Sequence, residues 1–504
     1  MPLEERKFRA KLHRIRGQEV ELKSQEDTQG IIEQLASAAY IVEQVRKRKR
    51  LRHPRPPFIT STMQREASNR LHFNTRRTMR IAQQLYEGVD LGKGERVGLI
   101  TYMRTDSTNV AESAQREARD YIQRTHGEEF LPPKPPHYKT KTKGAQEAHE
   151  AIRPTSVWRT PAQVKPLLSR DQHRLYDLIW RRFVASQMAP AVLDTTSIDI
   201  LAGPPSGEKP YLFRATSSII RFPGWLVLFK ELAGEESALP PLVKGEEVDL
   251  IKVIPEQHFT QPPPRYSEAT LIRCLEENGI GRPSTYAPIV STIQSRGYTE
   301  RVDNRLQPTD LGMIVCDLLV QHFPRVMDVG FTAQMETDLD SIAAGEREWV
   351  PVLREFWAPF SETLARAQKN MPQVEISDQP TGEMCPQCNA PLIFKWGRYG
   401  KFVGCSNYPD CRFTKPYLEK IGVSCPQCGG ELVKRHTRKG RTFYGCVNYP
   451  DCEFTSWKRP IAAPCPQCGG LLVLSGRDSV QCTVCKGQFS LERVEMAARE
   501  KEPA

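Results

Sequence analysis

Cys385, Cys425 and Cys465 each open a set of four cysteines, at a constant spacing of 40 residues, and together the sets take twelve of the 14 cysteines in the chain. They are Cys385, Cys388, Cys405 and Cys411; Cys425, Cys428, Cys446 and Cys452; and Cys465, Cys468, Cys482 and Cys485. Each set begins with CPQC, a C-x2-C pair on one tight turn, and closes with a second pair. Two such turns facing each other supply the tetrahedral thiolate geometry that Zn²⁺ takes, and a site closed by four thiolates is structural rather than catalytic. Each module is too small for a core of its own, so metal binding supplies folding free energy. The rival reading, disulfides of a secreted framework, is opposed by the opening MPLEERKF, which offers no apolar signal segment.

The tail carrying these sets is basic, holding a net +7 of the chain's +11 between residues 381 and 504. Cations alternate with rings: Trp396, Arg398, Tyr399, Lys401 and Phe402 in the first module, and Lys439, Arg441, Phe443 and Tyr444 at the matching place in the second. Rings that stack bases beside cations that follow phosphates make a single-strand DNA-binding surface. The alternatives are rings that pad small cores, the role expected first of Tyr408 and Tyr449, and a tail that binds protein.

The remaining sequence is long enough for several domains at 504 residues, and it has no apolar run near the length of a membrane span. A pI near 9.0 points to a polyanionic partner. Residues 29–48 pass from helix-like to strand-like patterning into RKRKRLRHPR at 46–55, a basic run read as a solvated strand or linker. Residues 60–88 read as helical with a stop at Gly88, 97–103 (VGLITYM) as a buried strand, AQEAHEAIRP as a short helix ended by Pro154, and 266–369 as mainly helical. Cys274 and Cys316 sit in apolar helical surroundings and are expected as buried core thiols.

If 100–104 is extended, Tyr102 and Arg104 project on one face. A phenol beside a guanidinium is the minimum apparatus for tyrosyl attack on a phosphodiester. A tyrosine beside an arginine on a strand is usually plain structure, and the neighbouring strings decide the matter. GLITYMRTDSTNV (98–110) resembles the active-site motif of the type IA DNA topoisomerases. So, in the same order, do PPFITSTMQREAS (56–68), QQLYEGVDLG (83–92), AHEAIRPT (148–155), YSEATLIRCLEENGIGRPSTYAPIVSTIQSRGY (266–298) and FTAQMETDLDSIAAGE (331–346).

The resemblance implies ATP-independent relaxation of negatively supercoiled DNA through a 5′-phosphotyrosine on Tyr102. Arg104 would hold the scissile phosphate, and His149 and Arg153 would approach it from a helix, one turn apart. Arg282, Ser284, Thr285 and Arg296 would contact DNA, with a helix starting near Ser284. The implied fold is multidomain α+β, a toroidal core followed by three zinc ribbons. An arch would be built from 1–61 and 191–262, a tyrosine domain from 62–190 and a helical DNA-binding domain from 263–372, with ribbons at 383–414, 423–455 and 463–489. A cytoplasmic, nucleoid-associated enzyme would follow, with DNA as partner and RNA polymerase as a second.

The family also carries a toprim domain whose carboxylates hold Mg²⁺. MPLEERKFRAKL aligns inside the family's arch, so those ligands have no counterpart in this sequence, and Asp106, Glu147 and Glu150 do not replace them by spacing. A truncated gene, an incomplete sequence, or a split enzyme whose site a separate toprim-containing chain completes would each give this pattern. The alternative is a catalytically incomplete, single-stranded DNA-binding fragment.

Overall fold

The computed structural model describes residues 7–92, 94, 96–138, 150–232, 238–372, 380–397, 400–436, 442–476 and 479–494. His149, Glu147, Tyr399, Arg398, Lys439 and Arg441 lie outside them, as does the side chain of Trp396. The chain forms two compact units, Met1–Met371 and Pro372–Ala504. Among the described residues no helix is long and apolar enough to cross a membrane.

In the first unit a five-stranded antiparallel sheet runs in the order Gln18–Glu19, Lys11–Ile15, Tyr211–Phe222, Ala191–Gly203, Ala39–Arg52. Its apolar side chains cluster at one end, where Tyr40, Val42, Ile198, Ile200, Ala202 and Tyr211 close over Leu35 of the helix Gln25–Ala36. That helix starts at Ser24, whose hydroxyl accepts the Asp27 N–H at 3.1 Å. Beyond Val45 the strand carries the basic run, and every residue from Arg46 to Arg52 is exposed.

The largest core gathers Phe58, Met63, Phe73, Leu85, Leu99, Ile100, Met103, Ile122, Ile152, Tyr176 and Phe183. The helices around it are Thr60–Glu66, Thr75–Glu87, Glu112–His126 and Arg170–Ser186. Residues 60–88 are thus not one helix. A π turn at Ala67–Leu71 ends with His72 in the left-handed region (φ 57), and Asn74 then caps the next helix. Gly88 does end that helix, at a φ of 112 that only glycine adopts without strain.

The helices Glu268–Glu277 and Tyr286–Ser295 dock on those of the large core. Glu268, buried to 4% exposure, accepts the Thr75 N–H at 2.8 Å, and Ser61 donates to Glu276 at 2.8 Å. A hairpin, Thr299–Val302 with Arg305–Pro308, turns at Asp303 and Asn304, both with positive φ. Four more helices follow: Asp310–His322, Pro324–Met327, Val329–Ala343 and Trp349–Asn370. The thiols expected inside this region are not buried: Cys274 is partly covered and Cys316 is exposed, on a helix with no buried residue.

The second unit is three four-stranded antiparallel sheets in sequential order. The first is Pro380–Met384, Pro391–Gly397, Gly400–Cys405 and Thr414–Pro416. The second is Glu419–Ser424, Glu431–His436, Thr442–Cys446 and Thr455–Ser456, and the third is Pro460–Pro464, Leu471–Leu474, Ser479–Cys482 and Gln488–Ser490. Leu471 of the third packs on the core of the second, so these two are joined.

Candidate active site and zinc centres

Residues 99–109 hang on their neighbours rather than in a sheet. Regular pairing covers only Arg96–Val97, against Val89–Asp90, so the expected strand over 97–103 is reduced to an extended segment with one bridge from Ile100 to Pro154. Its backbone is held by isolated main-chain bonds, among them Thr101 N–H to Arg153 O and Thr155 N–H to Leu99 O, each at 2.9 Å, and by side chains. Thr101 Oγ1 donates to Ala151 O at 2.6 Å and accepts the Arg153 N–H at 3.0 Å. Thr60 Oγ1, fully buried, accepts the Thr105 N–H at 2.9 Å and donates to Met103 O at 2.8 Å. Isolated main-chain bonds and two threonine hydroxyls replace a regular ladder here, which leaves one side of the segment open.

The open side carries the chemistry. Met103 and Thr105 point inward at 1% and 3% exposure, and Tyr102, 46% exposed, points out with Arg104. The Tyr86 ring meets Tyr102 edge-on at 5.2 Å, which steadies the phenol without bonding its hydroxyl. Among the described residues neither the Tyr102 hydroxyl nor the Arg104 guanidinium has a partner. Gly98 lets this arrangement form, because a Cβ there would stand 2.7 Å from Tyr86 O.

Arg153 is placed differently from the expected helix. Residues 150–154 are extended, Ile152 bridging to Phe58, because Pro154 excludes the helical region for the residue before it. The Arg153 guanidinium is committed to both oxygens of Glu150, at 2.7 and 3.0 Å. Asp106 lies within electrostatic reach of Tyr286, whose hydroxyl burial pushes up to about 12, with smaller contributions from Glu276 and Asp106.

The helix expected at Ser284 begins at Tyr286. Residues 283–285 form a turn in which Thr285 Oγ1 accepts the Arg282 N–H at 2.7 Å. Arg282 reaches across to Asp340 at 2.6 Å and Glu336 at 3.5 Å, tying this turn to the helix Val329–Ala343. Ser284 is exposed. Arg296, exposed at the end of its helix, has no side-chain partner among the described residues.

Each cysteine set converges, with its four sulfurs within 4.8 Å of one another. Cross-turn pairs stand at 3.7 and 3.3 Å in the first and second sets and 3.7 and 3.5 Å in the third. A disulfide would require about 2.05 Å, whereas tetrahedral zinc with Zn–S near 2.3 Å sets sulfurs about 3.8 Å apart. Backbone N–H groups point at the thiols; that of Gly430, 3.4 Å from Cys428 Sγ, leads the effects that pull this thiol down to about 7. The chain therefore has three zinc sites. Among the described residues these are the only such clusters of metal-ligating side chains, and Glu150 is engaged by Arg153.

Of the tail's rings, Tyr408 and Tyr449 depart from expectation. Phe402 and Phe443 are half-buried, the latter 5.7 Å from Trp457, and Tyr444 is also half-buried. Tyr408 and Tyr449, expected to pack, are 63% and 58% exposed. Lys395 stands 5.0 Å over the first ring and Arg435 5.4 Å over the second. The signal for them was their place in both copies of the GC-x-NYPDC loop, next to a zinc ligand that fixes the loop on the surface.

Residues 4–354 match the DNA topoisomerase family, and 382–420, 422–461 and 462–477 match the topoisomerase DNA-binding C4 zinc finger. The third match stops before Cys482 and Cys485, which the fold nonetheless brings to Cys465 and Cys468. The chain belongs to the DNA topoisomerase family, with the type IA fold. Among solved structures it is similar to full-length topoisomerase I from Thermotoga maritima, at 36% identity and a TM-score of 0.63 over 80% of this chain. It spans 63% of that relative's length.

Proposed function

We propose that the chain works as a type IA topoisomerase, relaxing negatively supercoiled DNA without ATP by strand passage through a transient single-strand break. Tyr102 Oη attacks a backbone phosphorus, the P–Oη bond forms as the P–O3′ bond breaks, and the phenolic proton is balanced by the one on the released 3′ hydroxyl. One phosphoester replaces another, so resealing needs no energy source. The observation that carries this reading is the open face of residues 102–104: a phenol and a guanidinium, both free of partners among the described residues, on a floor of buried Met103 and Thr105.

Arg104 and Arg296 are the cations best placed to meet phosphate directly. Arg153 and Arg282 are held by carboxylates and position their segments. His149 shares the reaction on family grounds. Trp396, Tyr399, Phe402, Phe443 and Tyr444 are joined by Tyr408 and Tyr449 as stacking positions for single-stranded DNA, the latter two supported by their exposure. A toprim-containing polypeptide supplying Mg²⁺, RNA polymerase bound at the ribbons, and a cytoplasmic, nucleoid-associated setting complete the proposal.

Plasmid relaxation tests it, run with a toprim-containing fragment supplied. Tyr102→Phe is expected to abolish relaxation while retaining DNA binding, and Arg104→Ala to slow it about 100-fold, the scale of losing one donor to a developing charge. Relaxation by Tyr102→Phe at the normal rate would refute the assignment.

A further inference from the structure

The basic run at 46–52 has no part in the tyrosine chemistry, and its geometry gives it another. Strand Ala39–Arg52 is the outer strand of the five-stranded sheet. Over its apolar half the outer edge is covered by residues 245–248, through Val42 N–H to Glu246 O at 2.9 Å and Val248 N–H to Tyr40 O at 3.0 Å. Past Val45 no described residue pairs with that edge.

Register sorts the exposed cations by face. Arg46 lies opposite Ser197, Arg48 opposite Thr195 and Arg50 opposite Leu193; Ser197 in turn pairs with Thr216 and Thr195 with Ser218. The hydroxyls confirm the shared face, Thr195 to Ser218 at 2.9 Å and Ser197 to Thr216 at 3.2 Å. Lys47 and Lys49 fall on the reverse face, where Asp194 lies opposite Lys49. Asp199 is 2% exposed and already bonded to Arg214 at 2.6 Å and Arg46 at 3.1 Å. Arg48 and Arg50 have no partner among the described residues.

We infer that this arginine-edged, hydroxyl-lined β face is a second nucleic-acid site that holds the phosphate backbone of duplex DNA. Alternate residues of a strand stand about 6.8 Å apart, so Arg48 and Arg50 can each meet a separate phosphate of the DNA backbone. Hydroxyls beside them add phosphate hydrogen bonds. Arg46, Arg48 and Arg50 and the four facing hydroxyl residues offer no ring on which an unpaired base could stack, which favours duplex over single strand.

The test is binding of a short labelled duplex by the full chain, followed by anisotropy across a salt series. Arg48→Gln/Arg50→Gln is expected to weaken duplex binding several-fold and to reduce the slope of log K against log salt by about 2. Lys47→Gln/Lys49→Gln, on the reverse face, is expected to change the slope by less than half as much. Wild-type affinity and slope in the arginine variant, equal losses in both variants, or a loss confined to single-stranded oligonucleotide would each overturn the site. Covalent capture of a single-stranded oligonucleotide by Tyr102 should be the same in all these proteins, so this test and that of the tyrosine chemistry fail separately.

Discussion

Tyr102 is presented by the residues that brace its segment. Thr60 is the clearest case, a buried hydroxyl joining a helix start to the backbone on both sides of Arg104. Thr60→Val keeps the shape and removes the bonds, and should cost about 1–3 kcal/mol in urea unfolding, the range for stranding buried polar groups. Tyr86→Ala should leave the fold intact and slow covalent capture up to about tenfold, as the edge-on ring contact of about 0.5–1.5 kcal/mol is lost. Asp199 ties the sheet instead: the hydrogen bonds from Arg214 hold its carboxyl below the ordinary 3.8. Its stabilisation is complete above the usual carboxylate range and is lost as pH falls through the depressed value. Asp199→Asn should therefore be less stable at neutral pH by about 2 kcal/mol, and its unfolding midpoint should fall less steeply than wild type below about pH 4. At this scale the sequence was legible where side chains alternate, which put Tyr102 and Arg104 on one face. It misled at Arg153, where a helical spacing ignored the constraint that Pro154 places on its neighbour.

Among elements, the ribbons were the most readable because their chemistry is local. Two thiol pairs and a tight turn specify each site within some thirty residues, and the sheets follow from the metal-binding turns. Chelation should remove three zinc ions per chain and abolish the sheet signal of the tail while leaving the first unit folded. Retention of ordered ribbons without zinc would contradict that. Tyr408→Ala/Tyr449→Ala should weaken single-strand binding by about 1–3 kcal/mol per stacked base. Tyr408 and Tyr449 were misassigned because repetition was taken for packing, when a repeated loop beside a surface metal site repeats an exposed position equally well. The helices of the first unit were legible in kind but not in extent. The π turn and left-handed His72 that break 60–88 arise from packing around Ala67 and Phe73, which no periodicity records.

For the whole molecule, the arrangement is a tyrosine segment suspended by isolated main-chain and side-chain bonds, a helical region docked on its supporting helices through Glu268 and Glu276, a sheet with a cationic margin, and a separate zinc-bearing unit. Family membership accounts for the first two, and the zinc sites stand on their own geometry. The most direct measurement of the central claim uses a single-stranded oligonucleotide labelled at its 3′ end, incubated with the protein, Mg²⁺ and a toprim-containing fragment, then run on a denaturing gel. The account predicts that label moves with the protein and that Tyr102→Phe captures none. Capture that persists in Tyr102→Phe, or that appears only with 5′-labelled DNA, would contradict it.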